Sequence, residues 1–349
     1  MLVNAESPLG PLPAPFVVKK MPVPCGSGSF LIGAYQFLLD WHRDWYANHN
    51  PEKSPKEVYA AKDGWRLTTA KRKEILLNNI FGVDIDSQAV EVTKLSLLLK
   101  VLEGENRETL ERQKKLFHQR ALPDLGSNIK CGNSLIGPDF YDGQQLSLFD
   151  ADEQYRINAF NWQTEFQPIM KSGGFDAVIG NPPYVRQESL AAFKSYFERR
   201  YAAFNGTADL YVYFMEQGVQ LLREGGVLSI IVSSSFLRAT YGEPLRRVLK
   251  DRAAIVRIVD FGGLPVFANA KDTYVCVPLL ARSDQRKRVE IARVDSLDFT
   301  ELSTVVDERL FSIPAGRLAA NAWSLKTDDE AAVFAKITEI GRASCRERV

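Results

Sequence analysis

The chain has 349 residues, 45% of them hydrophobic and 25% charged, with a formal net charge of +1. That balance suits an ordinary globular protein of one large or two smaller domains and excludes a disordered or collagenous chain. No apolar run reaches the ~20 residues that span a bilayer, and there is no basic excess of the kind that announces a nucleic-acid partner. In chain order, residues 1–20 (with SPLGPLPAPF) show neither helical nor strand period, lack the layout of a signal peptide, and read as a non-native start. From Gly26, GSGSFLIGAYQFLLDWHRDWY predicts a glycine-serine loop entering a helix, with Leu31, Ala34, Tyr35 and Leu38 at helical spacing. Residues 47–74 are polar and rich in turn formers, as in a surface insertion. IFGVDID, 80–86, predicts a buried strand ending in two aspartates, and Asp86 or Ser87 caps the helix SQAVEVTKLSLLLKVLEGE.

IKCGNSLIG, 129–137, predicts a third strand and turn, and 139–170 a second irregular insertion. FDAVIG is the next strand, stopped by Gly180, Asn181, Pro182 and Pro183. Each residue before a proline is pushed toward extended geometry, so Asn181 and Pro182 form a stiff segment at a strand's carboxyl end. ADLYVYFMEQGVQLLREGG predicts a helix with the stripe Leu210, Phe214, Val219 and Leu222, ending at Gly225-Gly226. VLSIIVSSS, 227–235, has the continuous apolar run of a strand buried on both faces. A short helix YGEPLRRVLKD and strands at 256–261 and 273–282 follow, the last pair predicting an antiparallel edge. VEIARV suggests a further strand, and a helix is expected from about Thr327. The alternation predicts an α/β, Rossmann-like fold, its sheet mostly parallel with an antiparallel edge strand.

The four cysteines, Cys25, Cys131, Cys276 and Cys345, show no paired short spacing, so neither a zinc site nor a disulfide framework is expected. His42 and His49 sit among Trp, Arg and Asp on an expected polar helix without partners at ligand spacing, so no metal is expected. A reducing cytoplasm is the default compartment. The last ten residues, IGRASCRERV, resemble a translated sequencing-library adapter and are set aside from the fold. They carry +2, so the rest of the chain falls from +1 to −1.

Four strand ends carry the residue types that ligand chemistry needs, and in open α/β sheets ligands bind at the strands' carboxyl ends. CGSGSF offers glycines for close backbone approach and a helix start with unpaired N–H groups. Asp84, at the end of GVDID, suits the two hydroxyls of a ribose, although alone it could equally be a helix cap. Asn133 in CGNSLIG suits the edge of an adenine ring.

The ordered run CGSGSF, GVDID, CGNSLIG, IGNPPYV and GGVLSIIVSSSFL resembles the S-adenosylmethionine-dependent N6-adenine DNA methyltransferases of restriction-modification systems. More narrowly it is similar to the methylase region of type IIG enzymes, over roughly residues 21–281. The resemblance implies S-adenosyl-L-methionine as cofactor and double-stranded DNA as partner. It implies that Cys25, Gly26, Ser27 and Gly28 line the methionine part, that Asp84 holds the ribose, that Ile85 packs on the adenine, and that Asn133 and Ser134 meet its edge. Asn181 and Pro182 would grip the target amine, Pro183 would stiffen them, and Tyr184 would stack on a flipped-out base. Phe267 would be a second aromatic wall, or else a core residue of the last hairpin. Residues 21–282 are then the catalytic domain, 283–339 a connector toward a target-recognition domain lying outside the chain, and 340–349 the adapter scar, the whole a fragment of a longer enzyme.

Asn-Pro-Pro-Tyr also occurs in methyltransferases acting on protein glutamine or RNA guanine, but the longer insertions and the CGSGSF version favour the DNA family. A DNA-binding module without cofactor is the other class of reading, with Arg199-Arg200, Arg246-Arg247 and Arg286-Lys287-Arg288 as phosphate contacts or merely solvated faces. The family's acidic residue before the glycine loop is replaced here by Pro22, removing a carboxylate that would hold the cofactor's cationic end. The expected outcome of incubating the chain with labelled S-adenosylmethionine and unmethylated DNA is therefore little or no transfer. Robust, site-specific labelling would refute this.

Overall fold

A computed structural model describes residues 28–104, 122–142, 151–267, 274–318, 322–334 and 336–337. The described residues divide into two compact units, one within 28–181 and 221–226, the other within 182–220 and from 227 onward. The unit boundary thus falls inside the Asn-Pro-Pro-Tyr segment.

In the first unit, Gly28 takes a left-handed φ of 76° and starts helix α1, Ser29–Asn48. Leu31, Ala34, Tyr35 and Leu38 are all buried as their spacing requires, in a cluster with Ile75, Leu76, Leu97 and Val101. The expected insertion at 47–74 is partly regular. It contains an antiparallel hairpin, β1 (Val58–Ala61) and β2 (Gly64–Leu67), and the start of α2 (Thr69–Asn79). Val58 and Leu67, paired in register, turn their side chains into the core, while the intervening polar residues disguise the strands. Strand β3 (Gly82–Asp84) leads through α3 (Ser87–Leu102) to β4 (Ile129–Cys131), paired in parallel as a βαβ unit. Of the two expected caps of α3 it is Asp86 that acts, its carboxylate accepting the Gln88 N–H at 2.8 Å. The expected irregular stretch at 139–170 holds short helices α4 (Ala151–Ile157), α5 (Trp162–Glu165) and part of α6 (Gln167–Lys171). Strand β5 is Phe175–Gly180. Gly174, with φ 123°, precedes it because a Cβ there would lie 2.4 Å from the Leu221 carbonyl oxygen.

Helix α7 (Lys194–Arg200) and helix α8 (Tyr211–Leu221) follow. The structure corrects the end of α8. Strand β6 is Leu222–Ile230, so it begins five residues before the expected start and runs through Gly225-Gly226. Leu222 therefore belongs to a strand, not to a helical stripe. Arg223 helps fix that early start, donating from Nε to Asp176 on β5 at 2.6 Å.

The second unit's sheet runs β11-β10-β8-β9-β6, with β7 (Val232–Ser233) also paired to β9. Helix α9 (Glu243–Arg252) precedes β8 (Ala254–Asp260), and β9 is Val275–Ala281. Strand β9 is antiparallel to its partners, as expected, but it lies between β8 and β6 instead of at an edge. Strand β10 (Arg288–Arg293) pairs in parallel with β8, and β11 (Leu310–Pro314), after α10 (Leu302–Glu308), closes the edge antiparallel to β10. Much of the expected connector is thus built into the sheet, because Val289, Ile291 and Ile313 are fully buried there. Residues 328–334 are helical, near the helix expected from Thr327. The α/β, Rossmann-like class stands, with a mixed sheet. No helix among the described residues is long and apolar enough to cross a membrane.

Two polar residues depart from their expected settings. Arg246, offered as a phosphate contact, is 0% exposed and donates to the carbonyls of Phe236 and Ala239. His42, expected on a polar helix, is buried against Trp41 and Tyr46, with both ring nitrogens lacking a partner among the described residues. Burial, aided by Lys71 and opposed by Glu74, lowers its imidazole from 6.5 to about 4. Between those values the unfolded chain takes up a proton that the folded chain refuses. Stability should therefore fall as pH drops from 6.5 toward 4, by up to ~3 kcal/mol in all. Urea midpoints across this window should fall less in His42→Leu than in the parent, and parallel curves would refute the assignment.

Candidate active site

In the first unit, the carboxyl ends of β3 and β4 carry the residues expected to hold a cofactor. The Gly132 N–H donates to the Asp84 carbonyl at 2.8 Å, and the Cys131 thiol reaches the Ile85 carbonyl at 3.5 Å, so the two strand ends are stitched together. The Asp84 carboxylate accepts the Asp86 N–H at 2.9 Å, which turns the chain into α3. Ile85 is 51% exposed, an apolar side chain left outside the core beside a carboxylate. That pairing suits a ligand with a polar sugar and a flat apolar face.

The turn after β4 is held from an unforeseen direction. Asn133 Oδ1 accepts the Leu135 N–H at 3.1 Å, and the Asn133 N–H donates to the Asn158 carbonyl at 2.7 Å. Its side-chain oxygen is thus engaged locally, and the amide N–H groups are what it would offer a ring edge. The Ser134 carbonyl accepts Trp162 Nε1–H at 3.0 Å. Gly132 has no room for a side chain, since a Cβ would lie 2.4 Å from the Phe160 ring. Asn158 (φ 45°) also donates to the Cys131 sulfur at 3.3 Å. Asn158, Phe160 and Trp162, within the expected irregular insertion, therefore form the base on which Asn133 and Ser134 rest. A left-handed asparagine is the sequence signal that could have pointed there.

Gly28 stands against α3. A Cβ on it would approach Thr93 Oγ1 to 2.8 Å, and Thr93 is fully buried with its hydroxyl lacking a partner among the described residues. Nothing in the α3 sequence marks Thr93 except a polar residue on an apolar face. Cys25, Gly26 and Ser27 lie outside the described residues, as does Pro22.

Asn181 ends the first unit's run at the tip of β5. Its side-chain oxygen is buried and has no hydrogen-bond partner among the described residues. An acceptor in that state forfeits about 1–3 kcal/mol relative to a satisfied one. In the second unit Pro182 is buried, while Pro183 and Tyr184 face solvent. The Val185 N–H donates to the Pro183 carbonyl at 2.9 Å, a three-residue turn that lifts Tyr184 outward. Burial, with the Cys276 thiol adding to it, pushes the Tyr184 phenol up to about 12, so the ring is neutral at working pH. Its face meets Phe267 edge-on, 5.4 Å between centroids at 64°. Phe267 also packs on the cluster of Val259, Phe261 and Val275, the core setting that was one of the two considered for it.

A family model described as Eco57I restriction-modification methylase matches residues 78–267. The chain belongs to that family. Among curated relatives, the type II restriction enzyme and methyltransferase RM.Eco57I of Escherichia coli is 30% identical over 328 residues, 91% of this chain and 30% of that protein. The adenine-specific methyltransferase PglX of Streptomyces coelicolor is 25% identical over 280 residues, 76% of this chain and 21% of that protein. Among solved structures, the DrdV–DNA complex matches with a TM-score of 0.54 at 15% identity, covering 90% of this chain and 29% of that one, and shows a shared fold. The chain thus spans less than a third of the length of these relatives.

In this family member the ends of β3, β4 and β5 each give way to a turn or loop. That is where backbone groups are left for a ligand. The partnerless oxygen at position 181 gives a direct stability test. Asn181→Leu, which replaces it with an apolar isostere, should stabilise the protein by about 1 kcal/mol in chemical denaturation. An unchanged or lowered midpoint would mean that the oxygen is satisfied.

Proposed function

We propose that the chain is the catalytic part of a site-specific DNA methyltransferase, moving a methyl group from S-adenosyl-L-methionine to the N6 amine of a flipped-out adenine in a restriction-modification or phage-defence system. The observation that carries this reading is the buried, partnerless Asn181 oxygen directly before Pro182. Such an oxygen is a preorganised acceptor for an N–H that arrives with a substrate.

The donor group fits the residues present. Gly28 makes an approach that a Cβ would fill, Thr93 leaves a hydroxyl without a partner beside it, and Ile85 stays exposed next to Asp84. With Cys25, Gly26, Ser27, Asn133 and Ser134, these would hold the cofactor. S-adenosylmethionine supplies an electrophilic methyl group on a sulfonium. The protein's task is on the nucleophile, because the lone pair of adenine's exocyclic nitrogen is delocalised into the ring. The Asn181 oxygen and the Pro182 carbonyl each accept one N–H of that amine. Two fixed acceptors favour a more tetrahedral nitrogen and aim its lone pair, so positioning replaces a strong base. Tyr184 and Phe267 hold the ring of a base that has left the duplex, each stack worth about 1–3 kcal/mol. The neutral phenol of Tyr184 adds no charge to repel the phosphates.

Residues 21–282 act as the catalytic domain, with β10 and β11 completing its sheet, and the segment beyond leads toward a target-recognition domain. Reading of the DNA site, and any cleavage, belong to parts of the longer relatives that this chain does not span. A DNA substrate puts the reaction in the cytoplasm.

The test uses long incubation with excess protein, followed by digestion of the DNA to nucleosides. N6-methyladenine should form at low yield, rise in Pro22→Asp, and fall at least ~10²-fold when Asn181→Ala is added. Labelling of a release-factor glutamine in place of DNA would overturn the proposal.

A further inference from the structure

Among the described residues only Asn50 and Asn158 take a positive φ without being glycine, and Asn158 does so at 45°. It follows the last residue of α4, where its N–H donates to the Gln154 carbonyl at 2.9 Å and ends the helix. Asparagine tolerates this left-handed region better than most side chains do. The chain leaves α4 in a new direction there and runs alongside the turn after β4. Ala159 forms a parallel bridge with Asn133, and the Phe160 N–H donates to the Ile136 carbonyl at 2.8 Å.

Asn158 grips that turn at two points with two different groups. Its carbonyl accepts the Asn133 N–H at 2.7 Å. Its side-chain Nδ2 donates to the Cys131 sulfur at 3.3 Å. The grip closes on both sides of Gly132, where the Phe160 ring leaves no room for a Cβ. It also reaches the neighbouring strand end. The Cys131 thiol meets the Ile85 carbonyl at 3.5 Å, and the Gly132 N–H meets the Asp84 carbonyl at 2.8 Å. One residue far along the chain, in the same unit, thus touches positions 131 and 133 directly and position 85 through one sulfur.

Resting on the methyltransferase reading, we propose that Asn158 is a positioning residue for the adenosine half of the cofactor. It fixes the 131–134 turn, and through Cys131 the place of Ile85, while touching no ligand atom itself. A surface made of a strand end and a turn contributes fully only when it is ordered before the ligand arrives, because otherwise its ordering opposes binding. The two grips have separate origins and can be separated by substitution. The carbonyl bond depends on the left-handed backbone, which glycine also adopts, and the sulfur contact depends on the amide side chain.

Hydrogen exchange on the full chain without ligand reads the backbone grip. In Asn158→Ala, where a left-handed φ is disfavoured, the Asn133 amide should exchange roughly tenfold faster, the equivalent of one hydrogen bond. In Asn158→Gly it should keep most of its protection, and amides of the β1–β2 hairpin should be unchanged in both variants. A residue that merely ended α4 would leave the Asn133 amide unmoved. Calorimetry with S-adenosylmethionine and, separately, with adenosine reads the consequence, in a Pro22→Asp background that supplies the carboxylate expected before the glycine loop. Asn158→Ala should weaken both ligands by the same factor, about tenfold, since the loss falls on the half they share. Asn158→Gly should recover most of it. Unchanged exchange at Asn133, or weaker S-adenosylmethionine binding with adenosine binding intact, would overturn the proposal. Failure of the parent to bind either ligand would sink the methyltransferase reading and this role with it. That outcome is told apart from the others because exchange at Asn133 would still respond to Asn158→Ala.

Discussion

The side-chain oxygen of Asn181 is buried, unpaired among the described residues, and held at the point where β5 gives way to two prolines. A polar atom in that condition is unfavourable for folding, and the surrounding sequence is arranged to keep it there. Gly174 allows β5 to start close to the Leu221 carbonyl, and Arg223 grips Asp176 on the same strand. Pro182 then denies the backbone any means of turning away to find Asn181 a partner. The strand delivers the acceptor, and the prolines prevent its relaxation.

A similar economy governs the residues assigned to the cofactor. Gly28 and Gly132 sit where a single methyl group would collide, with Thr93 in one case and Phe160 in the other. Both are close approaches between backbone and side chain, and both glycines are buried beside the end of an element. Their partners, Thr93 on α3 and Phe160 in the second insertion, are far away in sequence, so the constraint shows only when the chain is folded.

The strand ends were legible because turn chemistry is local. Asn-Pro-Pro, the aspartates of GVDID and the glycines of CGNSLIG each stop a strand by their own covalent geometry. The helical faces of α1 and the cap of α3 were legible for the same reason. What escaped was set by distant partners. Strand β9 reads as an edge because sequence order places it last in its pair, yet β6 covers its other side. Leu222 looks helical because its apolar neighbours continue the period of α8, until pairing across from Asp176 claims it for β6. His42 and Arg246 look solvated because charge and ring nitrogens usually are, and only the folded chain shows them to be interior. The hairpin at 58–67 is hidden by short strands with polar faces.

The edge-on contact between Tyr184 and Phe267 has a consequence for discrimination. Under the proposed function, a base entering between the rings would not meet an empty slot, since it would first have to replace an aromatic contact worth about 0.5–1.5 kcal/mol. Phe267 would then be a resident competitor, setting a threshold that a visitor's own stacking has to exceed. A large bicyclic ring would clear such a threshold more easily than a small monocyclic one. On the proposed reading, the resting pair would thereby favour purines over pyrimidines before any hydrogen bond to the amine is made.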